Sequence, residues 1–264
     1  MAASRLILFP GSFPGVSSRL AGFGGKLCSS TRFCSGGCIK EIRDEGNKFR
    51  RCIQYSGEGA RLAVINEGVL VKENFVSERE EEELVKEARS SFRRVKYEYD
   101  HWDGVIKGYR ETEKSQWRSQ SNQSVIKRLE KATLEASGGE VTAPAAMMNN
   151  SPPNSLLLSS VHVLDLAKDG YINPHIDNVK FCGTTIAGIS LLSDSVMKLV
   201  HQERKDDWIL MLLPQRSLYI LRDLARYEYE HQILPDSLSY FNNEHIQRDN
   251  RISIIARTKP FKTT

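Results

Sequence analysis

His175-Ile-Asp177 places an imidazole and a carboxylate two residues apart in a stretch whose composition favours extended chain. In a strand, positions i and i+2 project to one face, so the two side chains can bind a single metal ion together. A third ligand must come from elsewhere, and His231, at the end of a later β-rich run, is the natural candidate. Two histidines and one carboxylate form the facial ligand set of non-haem Fe(II) sites, which leaves three metal positions for a co-substrate and O2. His101-Trp-Asp103 repeats the same spacing. Context separates the two pairs, because only His175 and Asp177 share their half of the chain with a distal histidine and a cationic strand.

That strand is Arg251-Ile-Ser-Ile-Ile-Ala-Arg257. The period of two puts Arg251, Ser253, Ile255 and Arg257 on one face and Ile252, Ile254 and Ala256 on the other. Two arginines pointing into a barrel need anions to justify their burial. A dicarboxylate co-substrate, 2-oxoglutarate, supplies them: one carboxylate and the keto oxygen chelate the iron, and the far carboxylate meets an arginine fork. Arg251 is the first choice for that far carboxylate. The alternative is a pair of rim arginines in solvated ion pairs.

These residues need a frame. Ser77-Glu-Arg-Glu80 fits a capping box, which predicts a helix through about Arg93 with Leu84, Val85, Ala88 and Phe92 on its buried stripe. A second helix is predicted from Gln123 to Ala136, with Val125, Ile126 and Leu129 inward. Residues 137–154 are rich in Gly, Ala, Pro and Asn and read as a flexible loop. Eight short β-rich runs follow: Leu156–Leu166, Tyr171–Asp177, Thr184–Leu192, Val196–Val200, Trp208–Leu213, Leu218–Arg222, Ala225–His231 and Arg251–Arg257. Asp169-Gly170, Ser193-Asp194, Pro214 and Asp249-Asn250 supply turn signals between several of them. The pattern predicts an α+β fold, a double-stranded β-helix (jelly roll) of about eight strands on N-terminal supporting helices.

The chain has 264 residues, 40% hydrophobic and 27% charged, which excludes wholesale disorder. No run approaches the ~20 apolar residues of a membrane-spanning helix. The formal net charge of +4 is unevenly placed. Residues 1–40 carry five basic side chains and no acid, whereas residues 41–264 hold 32 basic and 33 acidic ones. The acid-free, Arg- and Ser-rich segment has the composition of a mitochondrial transit peptide, and the neutral remainder gives no argument for a nucleic-acid partner. Four of the five cysteines (Cys28, Cys34, Cys38, Cys52) lie in or just after that segment, leaving Cys182 alone. A lone cysteine builds no disulfide framework, which agrees with a reducing compartment such as the mitochondrial matrix. The organisation expected is a transit peptide and linker over residues 1–60, helical support over 61–136, the loop over 137–154 and the jelly-roll core over 155–258.

The ordered set His175-x-Asp177, His231, Arg251-x5-Arg257 resembles the AlkB family of Fe(II)/2-oxoglutarate-dependent dioxygenases. Arg226-Tyr-Glu-Tyr-Glu-His231 is similar to the aromatic run before that family's distal histidine. Tyr97-Glu-Tyr-Asp-His-Trp-Asp103, Arg110-Glu-Thr-Glu-Lys-Ser115, Pro174-His-Ile-Asp177, Lys180-Phe-Cys-Gly183 and Ser217-Leu-Tyr-Ile-Leu-Arg222 carry a closer likeness to a mitochondrial member. The resemblance implies Fe(II) held by His175, Asp177 and His231, with 2-oxoglutarate and O2 as co-substrates. It implies contacts to 2-oxoglutarate from Tyr219, Arg251, Ser253 and Arg257. It also favours a protein or small-metabolite substrate over nucleic acid, and a role in mitochondrial metabolism or alkylation-damage-induced cell death. RNA demethylation and a non-catalytic iron- and 2-oxoglutarate-sensing module are the alternatives.

Two departures bear on this. Many AlkB proteins place Asn and Tyr before the metal strand, where this chain has Val163-Leu-Asp-Leu166, so Tyr219 is expected to take over that contact. Residues 97–154 offer no counterpart to the long basic and aromatic lid of the nucleic-acid-repairing members, and a flipped base needs such stacking and phosphate contacts. Tyr97, Tyr99, His101 and Asp103 alternate onto one face, which suits either the mouth of the site or a structural hairpin. His162 on an apolar strand reads as a satisfied core histidine, and Cys182 as a packing residue. His201 and His245 fall in loop-like surroundings. Oligomeric state cannot be read from the sequence.

Overall fold

The computed structural model describes residues 52–56, 64–99, 104–138 and 156–260. In chain order the strands are β1 (Ile53–Tyr55), β2 (Val69–Lys72), β3 (Ile106–Lys114), β4 (Val161–His175), β5 (Thr185–Leu191), β6 (Ser195–His201), β7 (Trp208–Leu213), β8 (Ser217–Arg222), β9 (Tyr229–Ile233), β10 (Tyr240–Phe241), β11 (Glu244–His245) and β12 (Arg251–Arg257). The α-helices are α1 (Glu78–Ser91), α2 (Gln120–Ala136) and the single turn α3 (Asp223–Tyr227). Ten strands form one hydrogen-bonded sheet, nine of them on the path β1-β7-β6-β9-β4-β12-β5-β8-β2 and β3 added on β4. All its pairings are antiparallel.

Strand β4 turns that path into two facing sheets. Its first half (His162–Leu166) pairs with β12, and its second half (Ile172 and His175) pairs with β9. The major sheet is therefore β3-β4-β12-β5-β8-β2 and the minor sheet β4-β9-β6-β7-β1. Interior side chains of the two sheets, Val71, Tyr219 and Leu221 from one and Leu199, Met211 and Ile233 from the other, belong to one buried cluster. This is the jelly roll that the alternating runs predict.

The bend in β4 is made by two glycines. Asp169-Gly170 is not a turn between two strands, as its dipeptide suggests, but a point inside one fifteen-residue strand. The β3–β4 register shifts between Lys107 and Tyr109, and Gly108 sits there at φ +61°. A Cβ on Gly170 would lie 2.5 Å from the Gly108 carbonyl oxygen, so neither position takes a side chain without moving backbone. Just beyond, Pro174 falls where the β4–β9 register shifts between Ile172 and His175. Proline has no N–H for a ladder, so it suits an irregularity.

The helices cover the outer face of the major sheet. Ser77 Oγ accepts from Glu80 N, and Glu80 Oε2 accepts from Ser77 N at 2.8 Å, so the predicted capping box is formed. Leu84, Val85 and Ala88 of α1 and Val125, Ile126 and Leu129 of α2 pack with Ile252, Ile254 and Ala256 of β12 and with Ala187, Ile189 and Leu191 of β5. Buried polar side chains pin the helices to the barrel. Glu81 of α1 accepts from the Leu192 amide and from Arg216, and Glu87 accepts from Lys114 and Asn122.

Several expected boundaries change. Residues 61–136 hold two barrel strands, β2 and β3, besides the helices, and β1 lies within the stretch assigned to a linker. Ile53 and Tyr55 are buried there because pairing with β7 closes the minor sheet. The run Ala225–His231 is not one strand. Asp223–Tyr227 forms a helical turn, and β9 starts only at Tyr229. The strands therefore number twelve among the described residues, not eight.

Candidate metal and co-substrate site

His175 is the last residue of β4, and Asp177 lies two residues past the strand's end rather than within it. His231, the third residue of β9, stands opposite His175 in the β4–β9 ladder. The three side chains converge: His175 Nε2 is 3.3 Å and His231 Nε2 3.7 Å from Asp177 Oδ1. The imidazole centroids are 4.2 Å apart, and one ligand atom from each residue lies within 4.8 Å of the others.

Their protonation suits a cation. Burial opposes ionisation of Asp177. The Arg257 guanidinium, the His175 hydrogen bond and His231 outweigh it and hold the carboxyl well below its usual range. Burial, with His175 next, pushes the His231 imidazole down to about 3, so it is neutral at physiological pH. His175 Nδ1 lies 3.0 Å from the Asn173 carbonyl oxygen, a contact that orients the ring with Nε2 toward Asp177. Two imidazoles and an ionised carboxylate are the donor set of a divalent ion, and this combination is that of non-haem Fe(II) sites.

The cationic strand obeys its period of two. Arg251, Ser253, Ile255 and Arg257 line the cavity that also holds His175, Asp177 and His231, while Ile252, Ile254 and Ala256 pack under the helices. The two arginines differ in their commitments. Arg257 Nε donates to Asp177 Oδ2 at 2.8 Å, at the metal end. Arg251 Nε donates to Ser190 Oγ at 3.0 Å, but its Nη2 is buried without a hydrogen-bond partner, as is Ser253 Oγ. Burial lowers the pKa of Arg251, opposed by the nearby Tyr219 hydroxyl. Tyr219 of β8 also lines the cavity, and its ring lies over Gly188 of β5, directly across the β5–β8 ladder. A Cβ at Gly188 would run into that ring. Orphaned donors on a buried cation are costly unless a ligand meets them. A carboxylate fits here.

The geometry has relatives. The 2OG-Fe(II) oxygenase superfamily matches this chain over residues 68–257. The chain belongs to that superfamily, in its AlkB branch. It is 46% identical over 205 residues to the bovine (Bos taurus) "Alpha-ketoglutarate-dependent dioxygenase alkB homolog 7, mitochondrial", covering 77% of this chain and 85% of that protein. The mouse (Mus musculus) protein of the same name is 45% identical over 203 residues, covering 77% and 84%. Among solved structures, OsALKBH1 superposes with a TM-score of 0.51 at 15% identity, covering 72% of this chain and 96% of that one. A Pseudomonas putida prolyl-4-hydroxylase gives 0.51 at 10% identity, covering 75% and 96%. At such identities these two structures bear on the fold alone. The chain is thus an Fe(II)/2-oxoglutarate-dependent dioxygenase with a jelly-roll barrel.

The remaining candidates divide. His101 and Asp103 lie outside the described residues. Tyr97 and Tyr99 do not line the cavity. The Tyr97 hydroxyl donates to Asp165 and accepts from Asn250, and Tyr99 lies 3.5 Å from Asp169. Cys182 is buried, and burial, with the Asp177 charge, raises its thiol pKa, in keeping with packing. His201 is not in a loop. It ends β6, buried, and its Nδ1 accepts from the amides of Glu203 and Arg204. Neither of two further cavity side chains that can carry charge, His162 and Glu111, was assigned to the site from the sequence. His162 alternates with Leu164 on the inner face of β4, a signal the strand period carried, and Glu111 comes from β3, which was not foreseen as a strand.

Proposed function

We propose that this chain is a mitochondrial-matrix dioxygenase with an open active site that hydroxylates a protein or small-metabolite substrate, with His175, Asp177 and His231 as iron ligands. The observation that carries the co-substrate assignment is the buried, unpartnered pair Arg251 Nη2 and Ser253 Oγ in the cavity of the ligand set. Bound Fe(II) and 2-oxoglutarate, with O2, supply a C–H oxidant at the cost of 2-oxoglutarate decarboxylation to succinate and CO2. The chain's own residues do the rest. Asp177 stays ionised because Arg257 neutralises it, and the Asn173 carbonyl holds His175 in its ligating orientation. Arg251 and Ser253 receive the far carboxylate, and Tyr219, whose ring lies over Gly188, lines the same cavity. Ile172, Met197, Leu221 and Ile233 give the cavity an apolar wall that keeps water from the reacting carbon.

The matrix assignment rests on residues 1–40 and on the mitochondrial names of the relatives. The family resemblance supplies the role in mitochondrial metabolism or alkylation-damage-induced cell death. Near-neutral charge over residues 41–264 favours a protein or metabolite over RNA. The test compares mitochondrial extracts treated with wild-type protein and with His175→Ala. The expected result is succinate release coupled to a peptide or metabolite heavier by one oxygen, seen only with the wild type. Loss of a methyl group from RNA, without such a product, would replace this reading with RNA demethylation. Co-substrate binding with no product at all would favour a sensing module.

A further inference from the structure

Glu111 and His162 have no part in the reaction as assigned, yet both line its cavity. They are joined to it by an unbroken row of polar contacts. His162 Nε2 lies 2.8 Å from Glu111 Oε2, and His162 Nδ1 lies 3.4 Å from Arg257 Nη1. Arg257 Nε then donates to Asp177 Oδ2 at 2.8 Å. A guanidinium can only donate, so His162 Nδ1 must accept and carries no proton. The ring proton therefore sits on Nε2 and is donated to Glu111. One neutral tautomer satisfies the whole row.

The fold makes the row possible. Inner-face residues of β4 alternate His162, Leu164, and Glu111 stands opposite Leu164 on β3. That is the diagonal position from which a long side chain reaches across a ladder. His162 in turn pairs with Ile255 of β12, two residues before Arg257.

We propose that Glu111 and His162 are positioning residues that act through Arg257. Glu111 fixes the His162 tautomer, His162 Nδ1 orients the guanidinium, and the guanidinium holds Asp177 with Oδ1 turned to the histidines. This inference rests on the ligand assignment above, and its test separates the two. In the metal-free protein, long-range 1H–15N correlation of the ring nitrogens reads the His162 tautomer directly, the signal being assigned by its loss in His162→Gln. The proton is expected on Nε2. Co(II) serves as the metal probe. Glu111→Leu and His162→Phe are expected to weaken Co(II) binding about tenfold, the low end of what outer partners of metal ligands contribute. Both are expected to shift the Co(II) d–d absorption. Glu111→Gln keeps an acceptor for the Nε2 proton and is expected to bind Co(II) nearly as wild type. Thermal melts report whether each variant folds. A His162 proton on Nδ1 would overturn the inference. So would folded Glu111→Leu and His162→Phe proteins with wild-type Co(II) affinity and spectrum. If those two fail to fold, the tautomer and the Glu111→Gln protein decide, and a tenfold loss in Glu111→Gln counts against the row. A His175→Ala protein that keeps Co(II) would instead refute the ligand assignment.

Discussion

Arg251→Ala is expected to separate co-substrate affinity from iron affinity and from stability. Arg251 is 1% exposed, with Nε on Ser190 and Nη2 unpartnered, so the free protein holds a desolvated cation only partly satisfied. A charge-assisted hydrogen bond to a carboxylate contributes about 1.5–3 kcal/mol. Leaving the partner carboxylate buried and unpaired raises the loss toward ~2–5 kcal/mol. Since ~1.4 kcal/mol is tenfold in affinity, 2-oxoglutarate should bind at least about tenfold more weakly. The assay is anaerobic titration of the Fe(II)-loaded protein, following the metal-to-ligand charge-transfer band. Thermal shift adds a second reading. At a co-substrate concentration 100 times the wild-type Kd, binding stabilises the wild type by about 2.7 kcal/mol, and a tenfold weaker variant by about 1.4 kcal/mol. For a barrel of this size the difference is a loss of about 3–5 °C in the ligand-induced shift. Arg251→Met carries the opposite sign without ligand, because replacing a poorly satisfied buried charge by an apolar chain of similar length is neutral or stabilising. Arg251→Lys should recover only part of the affinity, since a point charge lacks the two-pronged fork. Wild-type 2-oxoglutarate affinity in Arg251→Ala would refute the assignment of β12 as the co-substrate anchor.

Five further outcomes are expected. His175→Ala should lose Fe(II), measured as bound metal, while its circular dichroism stays that of the wild type, because the side chain has one backbone partner and a partly exposed edge. Asp177→Ala should lose Fe(II) and also about 3–5 kcal/mol of stability in denaturant, because it strands the buried Arg257. The metal-free protein should lose stability as pH falls below about 6.5. His231 has a folded pKa lowered to about 3 from 6.5, so the unfolded state takes up its proton first, and the limiting slope is about 1.4 kcal/mol per pH unit; urea melts of the wild type and His231→Gln check it, and identical pH slopes would contradict the assignment. Gly188→Ala should weaken 2-oxoglutarate by displacing the Tyr219 ring, whereas wild-type affinity in that variant would show that the ring's seat is irrelevant. A reporter fused to residues 1–40 should enter mitochondria, and a cytosolic reporter would end the transit-peptide reading.

What the sequence disclosed was whatever has a local cause. The capping box of α1 needs only Ser77 and Glu80, three residues apart, and it is formed as read. The two faces of β12 follow from the period of two, and the cavity and the helices sort Arg251 to Arg257 in that order. The pair His175 and Asp177 was found by spacing, yet it works differently from the strand argument, because Asp177 has already left β4. What brings the pair together is the irregularity around Pro174 and the ladder partner His231.

The misread parts depend on distant pairing. Asp169-Gly170 has the composition of a turn, but Gly108, sixty-two residues earlier, removes its own side chain and lets β4 bend without breaking. No local window contains both glycines. Residues 106–114 alternate weakly and carry two lysines, an arginine and two glutamates, a poor strand by composition. Their charges are answered by distant partners on β4 and α1 instead. Arg110 pairs with Asp165, Lys114 with Glu87 and Glu111 with His162. His162 reads as a satisfied core histidine and is one, but the partner that satisfies it lies fifty-one residues away on a strand that the sequence did not announce. The active cavity is therefore bounded on one side by residues readable from β12 alone and on the other by β3, whose place depends on β4. Substitutions on β3 should act on the metal site through β4 and Arg257, at a distance from the ligands themselves.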